Sequence, residues 1–249
     1  MVGRALLDLF YPPQCAVCGD PADGPEERFC AKCVPLLAAD RAAPSCPTCA
    51  ASAGPHTLVE GRCAQCRERR TKLRGAVRAG EYGPVMGNLV RQYKYHGRAT
   101  LGALLGGCVA EAVQAAPWRG RVEALVYVPT HWRHRLRRRM HAAEELARLV
   151  GPTVGLPVVG ALRRVRAGPH QVGMSYTRRL ENVRGAFAVR PEVTLRDTRL
   201  LLVDDVRTTG ATLEECTRVL LGAGAGEVYA AVVVAAAWPG PGTLPPPGV

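Results

Sequence analysis

The sequence predicts an α/β fold built on a largely parallel sheet, with a cysteine-rich module in front of it. Three observations lead there. From residue 73 onward, strand-like and helix-like segments alternate, the pattern of a parallel sheet joined by crossover helices. Residues 199–203, RLLLV, are almost continuously apolar, as a strand buried on both faces requires. Before residue 70, eight cysteines stand in four CxxC pairs.

The elements follow in chain order. Residues 3–10 read as a short amphipathic helix stopped by Pro12-Pro13. Residues 75–82, GAVRAGEY, alternate like a strand, and helices are expected over 84–95 and 99–115. Residues 123–129 form a strand ending at Pro129, and 140–150 a helix with Ala143, Leu146 and Val150 on one face. A strand over 156–162 precedes a basic stretch, 163–185. After the 199–203 strand, Thr212 and Glu215 have capping-box spacing, which predicts a helix start there. The last strand is 227–237, and the Pro/Gly-rich residues 239–249 are expected to be disordered. The expected units are thus 1–72, 73–238 and the tail 239–249.

A chain of 249 residues can bury a sizeable core, and 47% hydrophobic content excludes wholesale disorder. Aromatics at 5% argue against a base-stacking platform along the chain. The longest near-apolar stretch, Val228 to Trp238, has 11 residues, short of the roughly 20 a membrane span needs. The first residues make a poor signal peptide, so the expected location is the cytoplasm. Net charge is +12. Residues 1–72 carry 9 Lys/Arg against 8 Asp/Glu, and residues 73–249 carry 24 against 13, so the excess sits on the α/β part. A cationic field concentrates polyphosphate or nucleic acid. A GC-rich genome gives the same bias without selection for binding, and 30 of the 33 basic residues are Arg.

The pairs are Cys15/Cys18, Cys30/Cys33, Cys46/Cys49 and Cys63/Cys66. Zn²⁺ takes four tetrahedral ligands, and a CxxC turn presents two thiolates. Four turns therefore make two closed, structural zinc sites. Sequential pairing keeps each loop short; interleaved pairing satisfies the same count. Disulfides fit poorly without a secretory signal, and a redox CxxC stands singly beside a βαβ pattern. Cys108 and Cys216 fall in apolar helical stretches, as small core residues do.

The run Leu200–Val203 stops at Asp204-Asp205, passes through Val206-Arg207-Thr208-Thr209-Gly210, and enters a helix at Ala211-Thr212. Strand, short polar turn and helix N-terminus make a site for a phosphate monoester, because free N–H groups and the helix dipole face the anion. Gly210 lets the backbone come close, and Thr208, Thr209 and Thr212 offer hydroxyls. Asp204 and Asp205, both expected to be solvent-accessible at the strand end, suit sugar hydroxyls. There is no GxxxxGK[ST], so this is not a Walker A loop.

DDVRTTGATL resembles the signature of type I phosphoribosyltransferases, which use phosphoribosyl pyrophosphate (PRPP). The resemblance implies that Asp204 and Asp205 are the catalytic acids holding the ribose hydroxyls. It implies that Val206, Arg207, Thr208, Thr209, Gly210, Ala211 and Thr212 hold the 5′-phosphate, with Mg²⁺ arriving with PRPP. Purine-salvage members carry an Asp where this chain has Thr208. Four further pieces match in order: the CxxC array, Tyr93-Lys94-Tyr95, Val128-Pro129 before an Arg-rich stretch, and Gln171 through Arg179 and Asn182 to Ala186-Phe187. Together they resemble the ComF family, competence and DNA-utilisation proteins. That implies a type I phosphoribosyltransferase-like parallel sheet flanked by helices, with an N-terminal zinc-ribbon module. Where the family usually shows Gly-Phe-Asn-Gln, this chain has Met140-His141-Ala142-Ala143.

Arg133, Arg137, Arg138 and Arg139 follow the Val128-Pro129 strand end, where the resemblance to phosphoribosyltransferases implies pyrophosphate, and guanidinium groups suit phosphate. With Arg163, Arg164, Arg166, Arg178 and Arg179 they also suit a single-stranded DNA backbone; a solvated basic face is the plainer alternative. His131, His134 and His141 read as surface histidines. Three functions are compatible with these residues. They are PRPP-dependent phosphoribosyl transfer, single-stranded DNA binding with a vestigial or regulatory PRPP pocket, and PRPP-regulated docking of a protein partner on the ribbons.

Overall fold

The computed structural model describes residues 13–22, 28–54, 57–68, 71–95, 100–129, 141–166 and 181–236. The helix expected over 3–10, the tail and the Gln171–Arg179 segment lie outside them. The cysteine-rich part carries α1 (Cys33–Ala42) and α2 (Ala64–Glu68). Then come β1 (Gly75–Glu81), α3 (Met86–Tyr95), α4 (Thr100–Gln114), β2 (Ala124–Tyr127), α5 (Ala142–Val154) and β3 (Val158–Val159). The order closes with β4 (Leu162–Arg164), β5 (Phe187–Val189), β6 (Arg199–Arg207), α6 (Ala211–Gly222) and β7 (Glu227–Ala235).

β1, β7, β6, β2 and β3 form one parallel sheet in that order. Alternate residues of β6 serve opposite faces. Leu201 and Val203 join Leu146, Ala147 and Val150 of α5 and the apolar residues of α3 and α4. Leu200 and Leu202 join Leu213, Cys216 and Leu220 of α6 and Leu162 and Phe187 of the antiparallel β4–β5 pair. Both faces are covered, which is why Leu200–Val203 shows no polar alternation. From the neighbouring strands β2 and β6, the chain crosses over in opposite directions, to β3 and to β7. Between two such strands the sheet opens a crevice at their carboxyl ends, the usual ligand position in this architecture.

The two ribbons repeat one backbone pattern. In the first, Cys15 N–H donates to Asp20 O (2.7 Å), Gly19 N–H to Cys15 O (3.0 Å) and Ala22 N–H to Pro13 O (2.8 Å). In the second, Cys46 donates to Ala51 (2.9 Å), Ala50 to Cys46 (2.7 Å) and Ala53 to Pro44 (3.0 Å). Gly19 and Ala50 hold the same left-handed position, φ 81° and 60°. The ribbons pack into the α/β core: Ala16, Val17, Phe29 and Leu37 lie against one face cluster, and Ala50 belongs to the other.

Three local expectations need correction. β1 is buried on both sides rather than alternating, because the second ribbon and the linker before it cover its outer face. Ala76 N–H donates to Pro47 O (2.9 Å), and Arg78 donates to Ser52 Oγ and to the carbonyls of Ala43 and Pro44 (3.0 Å each). The strand expected over 156–162 is two, β3 in the main sheet and β4 in the small one; Gly160 and Ala161 turn the chain between them. The Thr212–Glu215 capping box does not form. α6 begins after Gly210, with no side-chain cap. Glu215 instead accepts from Gly185 N–H (2.6 Å) and pairs with Arg218 (2.7 Å).

Candidate functional site

The acid pair lies near the carboxyl end of β6, which runs on through Val206 to Arg207. Asp205 is 8% exposed and Asp204 half-buried, so the expected accessibility is reduced; the covering group is a lysine. Lys94, from the last turn of α3, places Nζ 2.9 Å from Asp205 Oδ1. Asp204 Oδ1 accepts the N–H of Asp205 (2.9 Å). Burial, then the neighbouring Asp205 charge, push the Asp204 carboxyl well above the usual carboxylate range. On Lys94, burial works against the charge, but the Asp205 carboxylate outweighs it and holds the ammonium above its ordinary value. Two adjacent carboxylates and one cation leave a site that attracts hydroxyl donors or a further cation.

The turn between β6 and α6 is tight. Gly210 has φ +79°, a conformation that other residues adopt only with strain. The first helical bond of α6 runs from Glu214 N–H to Gly210 O (2.9 Å). Helix N-termini leave their first N–H groups without intrahelical acceptors. Here Thr209 Oγ1 takes that of Ala211, at 3.4 Å. Beneath the loop lies the second ribbon. Gln65 Nε2 donates to Thr209 O (2.7 Å). Arg207 donates to Thr208 O (3.2 Å), to Cys49 Sγ (3.4 Å) and to Gln65 Oε1.

α3 is itself held by the first ribbon. Asp40 Oδ2 accepts the N–H groups of Val85 (3.1 Å) and Met86 (2.8 Å) at its start. Asn88 and Gln92 donate to Val17 O (2.8 Å) and Ala16 O (2.9 Å) beside the first knuckle. Tyr93, fully buried, donates to Ala142 O at 3.3 Å.

The eight paired cysteines gather into two groups, Cys15, Cys18, Cys30 and Cys33, and Cys46, Cys49, Cys63 and Cys66, each with its sulfurs within 4.8 Å of one another. Sequential pairing is therefore the one adopted. Sulfur separations of 3.6 Å (Cys18–Cys30), 3.9 Å (Cys46–Cys66) and 3.6 Å (Cys49–Cys63) fit a tetrahedral zinc, whose 2.3 Å bonds place sulfurs about 3.8 Å apart. No disulfide links them; all ten cysteines are free, and Cys108 and Cys216 are buried in the core.

Comparison with known proteins matches residues 6–67 to the double zinc ribbon domain and residues 140–239 to the phosphoribosyl transferase domain. The DNA utilization protein YhgH of Salmonella typhi is 29% identical over 88% of this chain and 96% of its own. Competence protein F of Haemophilus influenzae is 27% identical over 67% of this chain and 75% of its own. A double zinc ribbon followed by a phosphoribosyl transferase domain, with these relatives, is an arrangement consistent with the ComF family. Among solved structures, the PRPP amidotransferase of B. subtilis overlaps 57% of this chain and 30% of that one at 19% identity, TM-score 0.40.

Of the site residues expected for a ComF-type chain, the structure places Asp204 to Arg207 in the last part of β6, Thr208 to Gly210 in the turn after it, and Ala211 and Thr212 at the start of α6. Arg207 departs from the rest: 2% exposed, it faces the ribbon beneath. Arg133, Arg137, Arg138 and Arg139 lie outside the described residues, as do His131 and His134. Lys94 and Gln65 were missed as site residues. Lys94 had a signal, since Tyr93-Lys94-Tyr95 is among the family's matching pieces. Gln65 stands inside a CxxC and had none. Among the described residues, no helix is long and apolar enough to cross a membrane.

Proposed function

We propose that the protein binds a ribose 5-phosphate group, as PRPP, at the carboxyl end of β6. The observation that carries this reading is the Asp204–Asp205 pair near the end of β6, with Lys94 against Asp205 and a Thr208–Gly210 turn leading into the start of α6. The 5′-phosphate takes the backbone N–H groups and hydroxyls of Thr208 to Thr212, and the ribose hydroxyls take the two carboxylates. The same carboxylates and the ligand's own oxygens suit Mg²⁺, which supplies neutralisation of the pyrophosphate charge. Lys94, paired with Asp205 at 2.9 Å, offsets part of the negative charge of the acid pair and shares Asp205 with the incoming hydroxyls.

Calorimetry with ribose 5-phosphate and PRPP, with and without Mg²⁺, tests the reading. Replacing both acids by Ala should cost on the order of 1.5–3 kcal/mol for each lost charged hydrogen bond. Unchanged affinity in the double variant would remove the reading. Release of pyrophosphate on adding candidate acceptors tests turnover separately.

The names of the relatives, and a basic excess carried by residues 73–249, support a second reading: DNA use as the setting, with single-stranded DNA held by the arginine cluster. A protein partner on the ribbons is the third. Titration with a labelled oligonucleotide tests the second, and it is independent of the PRPP measurement.

A further inference from the structure

We propose that Gln65 and Arg207 are positioning residues that make the second cysteine cluster part of the phosphate loop, so that the grip on a ribose 5-phosphate depends on the metal held by Cys46, Cys49, Cys63 and Cys66. The proposal rests on the ribose-phosphate reading above.

Gln65 is one of the two residues inside the Cys63–Cys66 knuckle, so a metal gripping both sulfurs fixes its backbone directly. Its side chain spans two partners. Nε2 donates to Thr209 O at 2.7 Å, and Oε1 accepts from Arg207. Only a side chain carrying both a donor and an acceptor makes this pair of contacts, and an amide does so without charge. Arg207 completes the circuit, donating to the ligand sulfur of Cys49 and to Thr208 O. Gly210 lies against it: a Cβ there would sit 3.3 Å from the guanidinium. Two successive loop carbonyls, Thr208 and Thr209, are thus held from below, which aims the intervening and following N–H groups upward to the phosphate position. Hydrogen bonds to metal-bound sulfur orient such ligands and tune the centre, so a change at either end of the link reaches the other.

The whole link is out of water. Gln65 and Arg207 are each 2% exposed and Thr209 5%. The first ribbon provides the internal comparison. Its equivalent knuckle position is Lys32, whose side chain is 84% exposed and pairs with Asp20. The two ribbons share a backbone pattern, but only the second directs this position into the α/β domain. An exposed lysine is what a ribbon serving only its own stability leaves at the site; a buried amide spanning a loop carbonyl and an arginine is not.

The test uses the full-length metal-loaded protein, with ribose 5-phosphate as probe, and the variants Gln65→Met, Gln65→Glu and Lys32→Met. Gln65→Met removes both contacts. Gln65→Glu keeps an acceptor for Arg207 and loses the donor to Thr209 O, so it holds the ribbon while freeing the loop. Calorimetry should give about ten-fold weaker binding for both Gln65 variants, with two metals still bound, and no change for Lys32→Met. A second readout is independent of affinity. With Co²⁺ in place of zinc, the visible bands of the thiolate sites should shift when ribose 5-phosphate binds the wild type, and stay still in both Gln65 variants at saturating ligand. Gln65 variants that bind as tightly as wild type overturn the proposal alone, as does a weakening that vanishes when metal content is restored to two. Wild-type protein that binds no ribose 5-phosphate overturns the underlying reading, and this proposal with it.

Discussion

Lys94 Nζ and Asp205 Oδ1, 2.9 Å apart, join the end of α3 to the end of β6 across 111 positions of sequence. The pair is mostly out of water, with side-chain exposures of 21% and 12%. It therefore escapes most of the screening that makes surface pairs nearly worthless. It also ties the acid site to the first ribbon, because α3 is anchored there through Asp40, Asn88 and Gln92.

Breaking this pair from one side should be costly. Lys94→Met takes away the cation paired with Asp205, and the expected loss is about 2 kcal/mol, below the full range for deeply buried pairs because both groups keep some water. Urea unfolding of Lys94→Met, Asp205→Asn and the double variant measures it. The double variant should recover part of the loss, since it leaves no orphaned charge. Strict additivity would show that the pair contributes nothing.

Asp204 sets a pH dependence of known sign. Its carboxyl is raised by burial and by Asp205, so over a window starting near the unfolded value of about 3.9 the folded state holds a proton that the unfolded state has released. Stability contributed by this group is full below that value and falls as pH rises toward the raised folded value. Asp204→Asn removes the term. The variant should match wild type near pH 4 and become the more stable of the two as pH rises. A difference that shrinks with rising pH would contradict the burial-driven shift.

Asp40 is the buried hinge between the first ribbon and α3. Its carboxylate receives two N–H groups at the helix start, and a Cβ at Gly83 would run into it. Asp40→Ala should cost about 2 kcal/mol, the range for a lost cap with buried donors left behind, and Gly83→Ala should be worse because it also displaces the carboxylate. Thermal unfolding of both variants tests this order.

Much of this was legible before the structure. Leu200–Val203, the helix faces of α5 and the four CxxC units carry local signals whose physics is local: burial on two faces, helical period, ligand spacing. The DDVRTTGATL loop was readable because strand, acids, turn and helix start are contiguous. What was not legible is what joins distant segments. Lys94 meets Asp205 and Gln65 meets Thr209 only through tertiary packing, and no periodicity marks either residue. The Thr212–Glu215 spacing misled for the same reason: Glu215 is better satisfied by Arg218 and by the Gly185 N–H from another segment. The alternation of GAVRAGEY reads as a half-exposed strand, but Arg78 takes its partners from the ribbon side.

Metal content and cooperativity form the fourth prediction. Elemental analysis should give two zinc ions per chain, one for each cluster of four cysteines. Zinc removal should lower the midpoint of a single unfolding transition rather than melt the ribbons alone. Buried polar ties from Asp40, Arg78 and Gln65, and shared apolar contacts through Val17, Phe29 and Ala50, leave little independence between the parts, and metal binding energy is folding energy in such modules. Two separate calorimetric transitions, with the α/β domain unaffected by chelation, would mean the ties are too weak to couple them.

The last prediction separates the two phosphate readings of the arginines at 137–139. If they track a DNA backbone, single-strand affinity falls with salt at a slope of about −0.7 per phosphate neutralised. Changing Arg137, Arg138 and Arg139 to Ala should then flatten that slope and weaken all sequences alike, because backbone contacts carry no base information. If they serve pyrophosphate, the triple variant loses PRPP affinity while ribose 5-phosphate, which lacks the pyrophosphate, binds as before, and DNA binding is unchanged. The two ligands differ only at the group in question, so the ratio of their affinities isolates it from damage to the Asp204–Thr212 loop. DNA binding that ignores salt would end the backbone model, and equal losses of both sugar phosphates would point to the loop rather than to the arginines.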